Sequence, residues 1–494
     1  MAEPSLGAGS HPQGAGRRPP LDPQRVREVC RRAWFDGALP ALEDYIRVRA
    51  LSPAYDPDWE TRGLLHAVLG DAAAYLDGLA IPGLTHEILT EPGRTPLLFV
   101  DVPGRGAAAQ EAVLFYGHLD RQPECTGWNE GTGPWTPVFD GTRLFGRGGA
   151  DDGYAVYATG IALAAVADQG ADAPRCVGIF ETGEESGSQD LPFWVERLAP
   201  RIGRVGLVLC LDSGAGDYER FWVISSLRGH CGGVLDVRVL DEGAHSGDAG
   251  GVVPSSFRIV RELLERVEDG RDGRLRLDAL HTTVPAERLD QAAATAAILG
   301  DTVFKRFRWA ERDGSSTQPA TTDPADALLA RAWRPSLEVT AADGIPSLAA
   351  GGNTLRPHTA VKLSVRLPPT VDSRAALAAL RDTLTADPPY AAQVTFTPDP
   401  VLVDGWNLAP LPERLVTLLE QAGRACFDGR DPAFLGQGGT IPLMALLTRS
   451  FPGAALLACG VQGPGTNAHG PNESLHVPYA VALTATLALV VGGW

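Results

Sequence analysis

"AVLFYGHLD", residues 112–120, is the stretch that decides the fold. It opens on an uncharged run of aromatic and branched residues, too short for a buried helix. Such a run predicts a strand covered on both faces. It then stops at His118 and Asp120. Three more stretches have the same build: "PLLFVDV" (96–102), "CVGIFET" (176–182) and "VGLVLCLDSG" (205–214). Helical spacing lies around them, in "VREVCRRAWFDGALPALEDYIRV" (26–48), "LLHAVLGDAAAYLDGL" (64–79) and "YAVYATGIALAAVADQG" (154–170). Strands alternating with helices predict an α/β domain, a mostly parallel sheet flanked by helices.

The polar residues gather where those strands end. "GHLD" closes one with His118 and Asp120, "ETGEESGS" (181–188) follows the next with Glu184 and Glu185, and "LDSG" closes a third with Asp212. Ligands of open α/β sheets bind beyond the carboxyl ends of the strands. One crevice therefore collects these groups. "GRGGADDGYA" (146–155) adds two adjacent carboxylates, Asp151 and Asp152, in a small and apolar setting. So many like charges require positive partners, and metal cations suit them best.

Composition narrows the partners. The 494 residues carry a formal net charge of −17, which argues against nucleic acid and anionic membranes. No run of 18 or more apolar residues predicts a membrane span. The seven cysteines are scattered, odd in number and without a CxxC pair. That pattern fits reduced thiols and a cytoplasmic setting. Residues 1–24 lack the apolar core of a signal peptide and read as a disordered tail. Lysine occurs only at 305 and 362.

The ordered motifs "YGHLDRQP", "LFGRGGADD", "ETGEESGS", "LCLDSG", "SLRGHCGG", "AHSGDAGGVVP", "KLSVRLPP", "GGTIP" and "AHGPNESL" carry a resemblance. The chain resembles the co-catalytic dinuclear zinc peptidases that include carnosinase-type dipeptidases, aminoacylase and succinyl-diaminopimelate desuccinylase. The likeness is closest to the dipeptidases. It implies a catalytic domain in two parts, 25–226 and 395–494, with an inserted α+β lid and dimerisation domain at 227–394.

By that resemblance two divalent metal ions bind per chain, zinc first, with manganese or cobalt as alternatives. Asp151 would bridge them. His118 and Asp212 would complete one site, and Glu185 and His469 the other. Glu184 would be the general base, and Asp120 would orient the His118 ring. Asp151 and Asp152 would be joined by a cis peptide. His245 of the lid would act in the partner subunit's active site, which makes the chain a homodimer. Arg356 and Asn353, with Gly438, Gly439 and Thr440, would hold the substrate carboxylate. The activity implied is hydrolysis of a dipeptide or small peptide. An N-acyl-amino-acid amidohydrolase or a biosynthetic deprotecting amidase on the same site stays open, as does a non-catalytic binding protein.

The chain departs from the family in three places. It reads Asp-Asp-Gly-Tyr where Asp-Asp-Lys-Gly is usual, and Gly436-Gln437 precede the glycines where Arg-Glu is usual. Near 405–407 a histidine gives way to "DGWNLAP", with Trp406 a candidate pocket residue. His230, His358 and His476 read as structural.

Overall fold

The computed structural model describes residues 21–106, 111–439 and 441–494. Most of the predicted tail lies outside them. The first helix, Pro23–Ala33, begins inside the 1–24 segment and is capped by Asp22, whose carboxylate accepts from Gln24 N at 2.9 Å.

A nine-stranded sheet forms the first body. Its order runs Thr85–Glu91, Arg94–Val102, Arg175–Glu181, Ala112–His118, Val205–Cys210, Ala455–Ala458, Trp222–Leu227, Trp406–Asn407, and Ala433–Gln437 also pairs with Trp222–Leu227. The centre is parallel, from Arg175–Glu181 through Ala112–His118 and Val205–Cys210 to Ala455–Ala458. All seven residues of Ala112–His118 are buried, as a strand with both faces covered demands. Helices Tyr154–Asp168 and Val477–Gly493 pack against each other and are buried nearly all round. Their Ala- and Gly-rich sequences let two backbones approach. Among the described residues no helix is long and apolar enough to cross a membrane.

A second body holds a four-stranded antiparallel sheet, ordered Ser336–Asp343, His358–Leu367, Gly229–Arg238, Gln393–Pro398. Burial alternates along His358–Leu367, so one face of this sheet is covered. Ile259, Val260 and Leu263 of helix Ser256–Glu265, and Ala376, Leu380 and Leu384 of helix Ser373–Thr385, cover it. This core is separate from the first. Arg228 is the residue between the last position of one sheet, Leu227, and the first of the other, Gly229.

The helices Ala286–Leu299 and Pro324–Trp333 depart from the sequence reading, which placed them within the second domain. They pack on strand Ala433–Gln437, and Leu299, Val303 and Leu328 join the first core. An amphipathic pattern shows that a face is buried but not which sheet covers it. Gly436 makes the approach feasible: a Cβ there would lie 2.6 Å from Ala332 Cβ. Trp406 is buried in the first core rather than exposed to a pocket.

Gly153 stands where the resemblance leads one to expect lysine, and packing explains it. A Cβ at 153 would run into the Tyr45 ring and lie 2.7 Å from Gly148 O. Tyr45 is fixed by its hydroxyl, which donates to Leu119 O at 3.1 Å, and by Arg121 stacked 3.7 Å from its ring centre. Gly153→Ala is therefore expected to lower stability by about 1–3 kcal/mol through over-packing. Gly70→Ala, in a helix with open space at the new Cβ, is expected to raise it by about 0.5–1 kcal/mol. Unfolding midpoints in urea check both; an unchanged midpoint for Gly153→Ala contradicts the Tyr45 contact.

Candidate metal centre

Each side chain of the site is delivered by the end of an element. His118 is the last residue of its strand. Glu184 and Glu185 open the short turn Glu184–Ser186 after strand Arg175–Glu181. Asp212 follows strand Val205–Cys210 by two residues. Asp151 and Asp152 precede helix Tyr154–Asp168 and are joined by a cis peptide. His469 comes from the loop after strand Ala455–Ala458, at φ +63°.

These residues converge as two triplets. His118, Asp151 and Asp212 form one, and Asp151, Glu185 and His469 the other. Within each, one potential ligand atom per residue lies within 4.8 Å of the others. His118 Nε2 is 3.4 Å from Asp151 Oδ1 and 4.0 Å from Asp212 Oδ2. His469 Nε2 is 3.0 Å from Asp151 Oδ2 and 3.2 Å from Glu185 Oε2. Glu184 lies alongside, its Oε2 3.9 Å from His118 Nε2.

The electrostatics of this group are those of a site short of positive charge. Burial pushes Asp212 up to about 7. Burial, then the Asp212 charge, pushes Glu184 well above the carboxylate range. Burial opposes ionisation of Asp151 too, yet its ion pairs with both imidazoles hold it below that range. Burial also disfavours a charged His469, but Asp151 and Glu185 raise it to about 11. His118 Nε2, Glu185 Oε1 and Asp152 Oδ1 are buried without a hydrogen-bond partner among the described residues. Buried polar atoms are rarely left so. A pair of cations would satisfy His118 and Glu185, which belong to the triplets, and offset the surplus of carboxylates, so the residues present fit two metal ions.

Asp120 does more than face the ring. His118 Nδ1 lies 3.4 Å from Asp120 Oδ1 and 3.2 Å from its carbonyl oxygen. The same carboxylate accepts from Glu184 N at 3.1 Å and Glu185 N at 3.0 Å. One buried side chain thus ties the first strand end to the acidic turn of the next.

The profile of peptidase family M20/M25/M40 matches residues 114–492. The chain belongs to this family. It is a hydrolase of a metallopeptidase class. It is 25% identical over 376 residues to a cysteinylglycine-S-conjugate dipeptidase of Corynebacterium striatum, covering 74% of this chain and 76% of that one. It is 26% identical over 297 residues to the human Beta-Ala-His dipeptidase, covering 59% and 54%. The chain therefore spans about half the length of that relative. Among solved structures, human carnosine dipeptidase 1 aligns at a TM-score of 0.75 with 19% identity, over 96% of this chain and 99% of the other. The di-peptidase Dug1p of Saccharomyces cerevisiae aligns at 0.73 with 20% identity, over 95% and 98%. Both show the same fold.

The remaining residues singled out in this M20 chain fall elsewhere. His245, Asn353 and Arg356 meet on a short ribbon of the second body, where His245 pairs with Thr354 and Asn353 O accepts from Ser246 N at 2.9 Å. The His245 side chain is 67% exposed, and its Nδ1 accepts from Gly247 N at 3.1 Å. Gly438 and Gly439 follow strand Ala433–Gln437, whose last residue reaches toward the centre: Gln437 Oε1 accepts from Gly214 N, two residues past Asp212, at 3.3 Å. Thr440 lies outside the described residues. His230 is bonded to Ser364 Oγ at 3.1 Å, and His476 caps the last helix.

Four supporting residues lay within or near the quoted motifs and were not singled out. Gln122 donates to Glu185 Oε2 at 2.7 Å, and Gln462 to Asp212 Oδ1 at 3.3 Å. Arg147 pairs with Glu473 at 2.5 Å in full burial and donates to His469 O at 3.1 Å. Only Arg147 and Glu473, opposite charges in two apolar or Gly-rich motifs, left a sequence signal.

Asp120→Ala is expected to destabilise the metal-free chain by several kcal/mol, since two backbone N–H groups lose an acceptor at about 1–3 kcal/mol each. Asp120→Asn, which keeps one acceptor oxygen, is expected to lose about half as much. Calorimetry after chelation checks this; equal Tm values for wild type and Asp120→Ala contradict it.

Proposed function

We propose that this M20 peptidase hydrolyses the amide bond of dipeptides with a free C-terminal carboxylate, as a homodimer holding two metal ions per chain. The observation that carries the reading is the pair of triplets sharing Asp151, with Glu184 beside them. Imidazole and carboxylate donors suit zinc, and manganese or cobalt would serve in its place. His118, Asp151 and Asp212 would hold one ion, and Asp151, Glu185 and His469 the other. When bound, the ions would polarise the scissile carbonyl and acidify the attacking water.

The chain's own groups do the rest. Glu184 takes the proton of the attacking water and passes it to the leaving nitrogen. Asp120 holds the Glu184 and Glu185 amides, which fixes where that carboxylate points. His245 is the donor for the developing oxyanion, across a dimer interface. The Gly247 N–H donates to its Nδ1, so the neutral ring carries its proton on Nε2 and presents a donor outward. Large exposed apolar residues near it, Val252 at 82% exposure and Leu348 at full exposure, support a second copy of the chain as the cover of this face. Arg356 and Asn353 on the same ribbon, with Gly438 and Gly439, would take the substrate carboxylate. Seven cysteines without a disulfide support a cytoplasmic setting.

A panel of dipeptides, dipeptide amides and N-acyl-amino acids, with chelated and zinc-restored protein, tests the reading. Dipeptides should be turned over best, and only with metal present. Preference for N-acyl-amino acids would replace this reading. Glu184→Gln is expected to keep its metal and lose roughly 10²–10⁴-fold in kcat. His245→Ala should be nearly inactive as well. Mixing the two variants should recover activity, because a heterodimer holds one site with both groups intact. Verified heterodimers without recovery would exclude action across the interface.

A further inference from the structure

The motif that carries Glu184 also holds a buried carboxyl group for which the reaction has no use. Glu181 is the last residue of strand Arg175–Glu181 and is 2% exposed. It belongs to neither metal triplet. Its Oε1 accepts two hydrogen bonds, from the Tyr116 hydroxyl at 2.6 Å and from the Ser188 hydroxyl at 2.8 Å. Both donors are buried as well. A carboxyl group in a dry interior is costly unless it is bonded, so these two bonds are what keep it there.

The bonds join two parts of the metal centre. Tyr116 lies two residues before His118 on strand Ala112–His118 and shares its face. Glu181 is the register partner of His118 on the neighbouring strand. Ser188 closes the turn that presents Glu184 and Glu185, its N–H donating to Gly183 O at 2.9 Å. It does so at φ +51°, a left-handed conformation unfavourable for a residue with a Cβ. The bond to Glu181 offsets that strain. The turn is thus fastened at both ends. Asp120 takes the Glu184 and Glu185 amides, and Glu181 takes the last residue. Between them, Ser186 Oγ accepts from Ala54 N at 2.9 Å. The Glu184 carboxylate stands 3.9 Å from His118 Nε2, beyond hydrogen-bond reach. Its direction therefore depends on the backbone that carries it. Glu185 has side-chain partners of its own in Gln122 and His469.

We propose that Glu181, through Tyr116 and Ser188, is a positioning residue for Glu184. It locks the far end of the acidic turn and so aims the base, while touching neither substrate nor metal. This rests on the reading of Glu184 as general base in a dipeptidase. A misplacement of 1 Å in a reacting group can cost about 10²-fold in rate, so loosening the turn lowers turnover and leaves metal binding intact.

The test has two readouts, one of them independent of activity. Hydrogen exchange of the amides in segment 183–188, and kcat and KM on the best dipeptide of the panel, are measured in zinc-loaded wild type, Glu181→Met, Glu181→Gln and Ser188→Ala. Glu181→Met and Ser188→Ala are expected to exchange the segment about tenfold faster, the scale of one lost hydrogen bond. Their kcat is expected to fall about 10- to 100-fold, with KM and zinc content unchanged. Glu181→Gln, whose amide oxygen accepts the same two bonds, should recover most of both readouts. Ser188→Ala decides alone if the Met variant does not fold. Wild-type exchange in the folded variants overturns the proposal, as does faster exchange with wild-type kcat. Zinc lost together with turnover overturns it too, since the turn would then be serving the ligand rather than the base. So does Glu181→Gln faring no better than Glu181→Met. A wild type that turns over no dipeptide overturns the dipeptidase reading, and the exchange result then decides by itself whether Glu181 locks the turn.

Discussion

Asp151 divides one carboxylate between two imidazoles, with Oδ1 at 3.4 Å from His118 and Oδ2 at 3.0 Å from His469. The rest of the site depends on that division. Those histidines come from distant parts of the chain, one ending a central strand and the other in a loop close to the C-terminus. Holding both on one buried residue fixes the parallel strands against the closing segment. The neighbouring carboxylates of Glu184, Glu185 and Asp212 would repel one another in such a place. Burial already drives Asp212 to about 7 and Glu184 higher. Protons on the imidazoles compensate in part; two cations compensate better and satisfy the orphaned His118 Nε2.

The structure spends its buried polar contacts on keeping that cluster rigid. Asp120 links the His118 strand to the Glu184 turn. Gln122 and Gln462 each hold one oxygen of a carboxylate, which leaves the other free to ligate. Arg147 and Glu473 form a buried pair under the His469 loop, with Arg147 bonded to the His469 carbonyl. Each supporting group acts on direction rather than on charge.

Apolar runs and isolated charges are local signals, so the sequence showed the central strands and the polar residues at their ends; the grouping of ligands into two triplets came from the family resemblance. The resemblance named His245, Asn353 and Arg356 individually, but not that a two-strand ribbon joins them. It misplaced the helices Ala286–Leu299 and Pro324–Trp333, since their stripes of small apolar residues fit either core. Gly153 was legible only as an anomaly; the Tyr45 ring that excludes a side chain there lies about a hundred residues away in the chain. A single sequence reports what each segment buries and says little about what meets it.

The central claim is that Asp151 serves two ions at once. Elemental analysis after zinc loading and removal of free metal tests it most directly, in wild type, His469→Ala and Asp151→Ala, with folding confirmed by circular dichroism. The account predicts two equivalents per chain, then one, then fewer than one, because Asp151 belongs to both triplets. A folded Asp151→Ala chain that retains two equivalents would contradict it.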